Sequence, residues 1–350
     1  MTIPGSCDPR APQPERRIRS REALRRVRAA FAECGDGDLQ AAYAEARWRT
    51  RGLRLGLALV DRVLPITLLI EFSGEVNQRV REQGLAEACA ASTHRLGLDC
   101  EYVMSEATRK VLETSPVFVY GNHPTVLTPF LVVAAARRND VRLLMVDHVR
   151  RLVPSVGEYL LPLELSAEPD RVEWHRGGIV RVVSRRLARF VMKGRDRAEA
   201  KQVNRRALAD GVRHLEQGGC VVIFPGGGGR DERRWYSGIG QVARDLRLNS
   251  EAPDIFLLPV HEDVRSEAHV YRGLRRLSGR APVVSDNLVP VRVRFSEPRR
   301  LRELVPSDAD RDEITRRLQA DYEATFPQAR TSLFSRLLFP RRAVRERSQT

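Results

Sequence analysis

The chain has 350 residues, 42 % hydrophobic and 30 % charged, enough for one large α/β domain with appended helices or for two domains, and not the composition of a disordered, collagen-like or disulfide-stapled protein. Lysine and arginine number 60 against 45 acidic residues, a net charge of +15, and only Lys110, Lys193 and Lys201 are lysines. The excess is arginine, which suits bidentate contact with phosphate and carboxylate, so an anionic partner is expected: nucleic acid, a membrane surface or a phosphorylated substrate.

Residues 1–20 read as a disordered basic arm rich in Pro and Arg, without the apolar core of a signal peptide, which predicts a cytoplasmic protein. Residues 21–97 form a helical region, with a break at Gly35-Asp36-Gly37, where glycines suit a helix end and turn. Within it Leu53 to Ile70 is strongly apolar, but Arg54, Asp61, Arg62 and Pro65 interrupt it, and no uncharged run approaches the roughly 18 residues of a membrane span. With the basic segment Arg47 to Arg54 in front, two roles are open, an interfacial helix or a helix buried against the domain. The cysteines Cys7, Cys34, Cys89, Cys100 and Cys220 are scattered, without CxxC or zinc spacing, which predicts a reducing compartment and no metal site.

Beyond Gly97, Glu101–Met104 and Val117–Tyr120 read as short strands, followed by a helix from Val126 to about Arg138 and strands at Val141–Val146 and Leu160–Leu165. Residues 176–217 read as mostly helical, with solvated arginine faces. Gly218-Gly219 then feeds a central strand ending at Phe224-Pro225. A helix is expected over Gln241–Leu248, strands over Ile255–Val260 and Leu288–Phe295, and a closing helix over Ser307–Phe326 with Ser307 or Asp308 as its N-cap. The alternation predicts, over residues 98–330, an α/β fold with a mixed, mainly parallel central sheet flanked by helices; residues 331–350 form a basic tail.

Two segments could carry chemistry. His123 follows an apolar strand directly, where ligand sites of α/β sheets gather, with Asn122 and Thr125 as hydrogen-bonding neighbours and Pro124 fixing the turn. A neutral histidine there could act as general base on a hydroxyl, or be a turn histidine with its hydrogen bonds satisfied. Gly226-Gly227-Gly228-Gly229-Arg230 follows the central strand at Phe224-Pro225. Its unobstructed N–H groups and forked cation could cradle a phosphate, or the segment could be a flexible surface loop. It is no Walker A loop, since no Gly-Lys-Ser/Thr follows, and Gly238-Ile239-Gly240-Gln241-Val242-Ala243 lacks the preceding buried strand of a dinucleotide fingerprint. His148 reads as a helix-start residue near the surface, and Trp235-Tyr236 as the lining of a ligand channel or as packing. His261-Glu262-Asp263 looks like a metal triplet, but adjacent residues of an extended chain point to opposite faces and cannot easily converge on one ion.

Taken in order, these segments resemble the glycerolipid acyltransferase superfamily, whose members include lysophosphatidate and glycerol-3-phosphate acyltransferases. That family runs a strand into Asn-His-x-x-x-x-Asp and, about a hundred residues later, another into a Phe-Pro-Glu-Gly-Thr-Arg-like loop. The counterparts are Val117–Tyr120 into Asn122-His123, and Val221–Phe224 into Pro225-Gly226-Gly227, with Ser237–Gly240 as the later turn, Pro154–Gly157 as the Pro-x-x-Gly segment and Leu257–Val260 as the Val-Pro-Val strand. The resemblance covers roughly residues 98–300. It implies acyl transfer from acyl-CoA or an acyl carrier protein, as donor substrate with no other cofactor, to a hydroxyl of a lysophospholipid or glycerol phosphate. In it His123 is the general base, Asn122, Thr125, Gly226, Gly227, Gly228 and Arg230 are substrate-binding, and the protein is peripheral on an anionic membrane, at the inner face of the cell membrane.

The chain departs from this pattern twice. Thr128 stands where the family has aspartate, so it is expected to orient His123 through its hydroxyl without the charge that stabilises an imidazolium; in a Ser-His-Asp triad, losing that charge costs about 10⁴ in turnover. Asp147 or Asp231 are candidate substitutes. In the second loop Gly226 replaces glutamate, and Arg230 sits one residue late. The alternative to catalysis is a lipid- or acyl-chain-binding protein on the same fold. Specific nucleic-acid binding is not expected, because no recognition motif is present and aromatic residues are only 6 %. The absence of a GxSxG elbow argues against a serine hydrolase.

Overall fold

The computed structural model describes residues 20–33, 38–50, 66–125, 127–164, 197–226, 235–263 and 289–327. Among these, one sheet is formed by β1 (Leu98–Val103), β2 (Val117–Gly121), β3 (Val141–Val146), β4 (Leu160–Leu163), β5 (Cys220–Ile223), β6 (Phe256–Asp263), β7 (Val289–Phe295) and the short β8 (Arg299–Arg300). The order is β1-β7-β6-β2-β5-β3-β4, with β8 also on β6. β7 and β8 run antiparallel to β6 and the other pairings are parallel. The fold is therefore the expected α/β class, a mixed, mainly parallel sheet flanked by helices.

Side chains alternate across this sheet as extended chains require. Val117 and Val119 of β2, Val222 of β5, Leu258 and Val260 of β6 and Val293 of β7 lie on one face, packed against α3 (Ile66–Gln83), α4 (Leu85–Arg95) and α6 (Thr128–Ala136). Phe118, Tyr120, Val221, Ile223 and Leu257 lie on the other, against α8 (Arg197–Glu216), α9 (Gly238–Leu248) and α11 (Arg311–Thr325). β2 and β5 are buried at every position, so their sequences are unbroken apolar runs, the mark of parallel strands covered on both faces. α6, with the sequence TPFLVVAAA, is apolar all round and buried along nearly its whole length, as a helix without a polar face must be. Pro129 fits its first turn, where no intrahelical N–H bond is lost.

The remaining helices are α1 (Ser20–Glu33), α2 (Asp38–Arg49), α5 (Glu106–Thr114), α7 (His148–Leu152) and α10 (Leu301–Leu304), and a 3-10 turn at Pro154–Tyr159 leads into β4. Phe72, Val76 and Val80 of α3 belong to the same core as β2 and β6. Residues 51–65, most of the apolar Leu53–Ile70 segment, lie outside the described residues, as does Gly35-Asp36-Gly37. No helix among the described residues is long and apolar enough to cross a membrane.

Several boundaries differ from expectation: β1 begins at Leu98, three residues before Glu101, and α9 at Gly238, three before Gln241. α11 begins at Arg311, and its N-cap is Asp310 rather than Ser307 or Asp308. The Asp310 carboxylate accepts from the N–H groups of Asp312 at 2.9 Å and Glu313 at 2.7 Å. Val305 and Ala309 are drawn into the core, which keeps the chain between them from starting a helix earlier. β6 runs three residues past Val260, because β7 pairs there, matching Val260 to Phe295, His261 to Arg294, Glu262 to Val293 and Asp263 to Arg292.

Candidate functional site

β2 ends at Gly121, where an added Cβ would sit 1.9 Å from the carbonyl oxygen of Val260. Only glycine allows β2 to lie this close to β6 at its C-terminal end. The next residue uses that proximity. Asn122 Nδ2 donates to the carbonyl of Glu262 at 3.1 Å, and Asn122 Oδ1 accepts from the N–H of Glu262 at 2.9 Å. The Asn122 side chain thus extends the ladder by imitating a backbone amide, with both polar atoms engaged by the protein.

The turn beyond it is closed by two threonines. The Thr125 N–H donates to Thr128 Oγ1 at 3.2 Å, and Thr128 Oγ1 donates back to the Thr125 carbonyl at 2.8 Å. The Leu127 N–H donates to Thr125 Oγ1 at 3.3 Å, while that hydroxyl donates to Glu262 Oε1 at 3.3 Å. The Thr128 hydroxyl therefore serves the turn at Thr125 and not the His123 ring. His123, half-buried between the two pinned residues, has its ring 5.0 Å from that of Phe224. Burial lowers its pKa, and the backbone of Thr125 pulls weakly the other way, so the imidazole is neutral at neutral pH. Its Nδ1 is buried and has no hydrogen-bond partner among the described residues.

The second segment arrives at the same edge because β5 is parallel to β2 and in register with it, Val117 opposite Cys220 and Tyr120 opposite Ile223. Phe224 and Pro225 are buried and Gly226 is half-buried at the root of the glycine loop. The Tyr236 N–H donates to the Pro225 carbonyl at 2.9 Å, so the chain leaves and returns at one point. Gly227, Gly228, Arg230 and Asp231 lie outside the described residues. Trp235 packs edge-on against Tyr120 at 5.8 Å and against Tyr322 at 5.4 Å, on the far face of the sheet. Tyr236 is exposed.

The structure also shows where carboxylates lie. Asp147, at the end of β3, is paired with Arg150 at 3.1 Å. Glu262, which in the sequence reads only as part of a metal-like triplet, lies beside the His123 turn. His261, Glu262 and Asp263 are consecutive strand residues, and they divide between the faces. His261 Nε2 lies 3.1 Å from Asp263 Oδ1 and its Nδ1 2.6 Å from Tyr322 Oη, with Arg294 Nη2 2.8 Å from the same Asp263 oxygen. Burial holds the His261 pKa well below the usual histidine range. Glu262 points the other way, continuing the row of Leu258 and Val260, and is 3 % exposed. No basic side chain among the described residues forms an ion pair with it. Burial raises its pKa to about 7, against the opposing hydrogen bonds of Thr128 and Thr125. A signal for it existed in the sequence: the period-2 row Leu258, Val260, Glu262 places a carboxylate at a position facing the core.

No family model matches the sequence, and no curated protein is similar to it. Among solved structures, the crystal structure of the 1-acyl-sn-glycerophosphate (LPA) acyltransferase PlsC from Thermotoga maritima is similar at a TM-score of 0.39 and 16 % sequence identity, over 81 % of this chain and 100 % of that chain. The likeness is distant.

Proposed function

We propose that the protein transfers an acyl group from the thioester of acyl-CoA or an acyl carrier protein to a hydroxyl of a lysophospholipid or glycerol phosphate, with His123 as general base. The supporting observation is the meeting of a neutral imidazole and the root of a glycine loop at one sheet edge, in contact through Phe224. As the acceptor oxygen attacks the thioester carbonyl carbon, the imidazole takes the hydroxyl proton. When the C–S bond breaks, the imidazolium returns the proton to the departing sulfur. The N–H groups of Gly226, Gly227 and Gly228, with Arg230, hold the acceptor's phosphate. Asn122 and Thr125 act through the hydrogen bonds that fix the turn on either side of His123. The arginine excess holds the protein peripherally on an anionic membrane at its cytoplasmic face, where substrate and product reside.

A second reading is a lipid-binding protein without turnover. It is favoured by the Thr128 hydroxyl being engaged at Thr125 and by the unpartnered Nδ1 of His123. Transfer from radiolabelled acyl-CoA to a panel of lysophospholipids and glycerol 3-phosphate, with vesicles present, separates the two. His123→Ala is expected to lower the rate by about 10²- to 10⁴-fold with an unchanged melting temperature. Equal rates would remove His123 as the base. No product from wild type, with lysolipid still bound, would establish the binding protein.

A further inference from the structure

We propose that Glu262, delivered from β6, is the carboxylate that positions His123 and supports its positive charge during the reaction, a role Thr128 cannot fill. This rests on His123 being the base in acyl transfer. The geometry gives Glu262 contacts on both sides of His123. Its main chain is clasped by Asn122 through two hydrogen bonds of 2.9 and 3.1 Å, and its carboxylate accepts from the Thr125 hydroxyl at 3.3 Å. The residue before His123 and the residue two beyond it are thus both fixed by one buried acid. Of the other carboxylates described near this edge, Asp147 is paired with Arg150, and Asp263, on the opposite face, meets His261 and Arg294.

Chemistry supports the same assignment. A buried carboxylate with no cation beside it is unstable as an anion. It gains most when a positive charge appears nearby, which is the moment His123 takes a proton. The groups around Glu262 leave this coupling undisturbed. On its side of the sheet, Cys100 and Tyr102 of β1 have pKa values raised by burial and stay neutral. His261 and Asp263 of β6 and Arg294 of β7 lie on the opposite face. From the turn and α6 the polar groups are Asn122, Thr125 and Thr128, all uncharged.

The test is the pH dependence of turnover in wild type, Glu262→Gln and Glu262→Gln/Thr128→Asp. Glutamine keeps the shape and the hydrogen-bond acceptor but not the charge. Wild-type turnover is expected to rise with pH through a limb near 7 as Glu262 ionises. Glu262→Gln should be at least tenfold slower, with its limb displaced to the lower pH at which His123 itself titrates, and the added aspartate should restore part of the rate. An unchanged rate and limb in Glu262→Gln overturns the proposal. If wild type turns over no acceptor, the acyl-transfer reading fails separately, and the ¹⁵N signals of the His123 ring still decide the coupling. A transition near pH 7 in folded wild type that is absent from folded Glu262→Gln supports it, and identical titrations in the two proteins overturn it.

Discussion

Among single residues, the acid at a core position of β6 has a consequence for stability that does not depend on catalysis. The folded-state pKa of Glu262, about 7, lies above its ordinary value of 4.5, so the folded protein binds this proton more tightly than the unfolded chain does. The contribution is fully present below pH 4.5 and is lost as pH rises through 7. The difference corresponds to about 3 kcal/mol. His123 acts in the opposite sense: its lowered pKa contributes stability that is present above its ordinary value and lost as pH falls. Comparing wild type with Glu262→Gln therefore reads Glu262 together with any change it causes in the titration of His123. Urea denaturation at pH 5 and pH 8 should show the wild type losing up to about 3 kcal/mol more than Glu262→Gln between the two conditions; parallel behaviour would mean the carboxyl is not buried as described.

Elements meet this site through backbone approach, and glycine decides how close they come. Gly121→Ala would place a methyl group 1.9 Å from the Val260 carbonyl oxygen, so β2 and β6 must separate and the Asn122 clasp on Glu262 must open. A loss of about 1–3 kcal/mol is expected, read as a lower urea midpoint, and turnover should fall further than stability because His123 loses a pinned neighbour. A midpoint equal to wild type would show that the strands can part without strain. Gly240 has a comparable role in α9: a Cβ there would meet the Arg311 carbonyl at 2.0 Å and Thr315 Oγ1 at 2.3 Å. The Gly238–Ala243 run, which resembles part of a dinucleotide fingerprint, is thus accounted for by the packing of α9 against α11. β3 is legible in the sequence residue for residue, and β2 and β5 to within a residue at each end, because each is a short apolar run bounded by turn residues. The end of β6 is not, since its polar residues break the apolar run and the pairing that extends it comes from β7, far along the chain.

For the molecule as a whole, net charge sets the expected behaviour toward membranes. With +15 carried almost wholly by arginine, association with vesicles containing phosphatidylglycerol should be tight at about 50 mM salt and weaken steeply by about 500 mM, where the screening length falls well below about 10 Å. Binding to neutral phosphatidylcholine vesicles should be weak throughout, as read by co-sedimentation. Salt-independent binding to both would mean that apolar insertion, not charge, holds the protein on the bilayer. Packing bears on the same question from the other side. α3 buries Phe72, Val76 and Val80 in the core shared with the sheet, so that much of its apolar surface faces the protein.

Local patterns in the chain suffice for the fold class, the main strands and the two strand-to-loop segments, because each follows from an apolar run, a period, or a glycine or proline at its end. They also suffice to put His261 and Glu262 on opposite faces, since alternation along an extended chain is local. Which carboxylate meets the turn that carries His123 follows instead from long-range pairing. It depends on β6 being the parallel neighbour of β2, on Gly121 letting the two backbones meet and on β7 extending β6 by three residues. These are pairings between segments far apart in the chain, or set by the sheet as a whole, and no local pattern encodes them. The spacing that draws attention to Thr128 describes one helix turn, whereas the acid arrives from another strand.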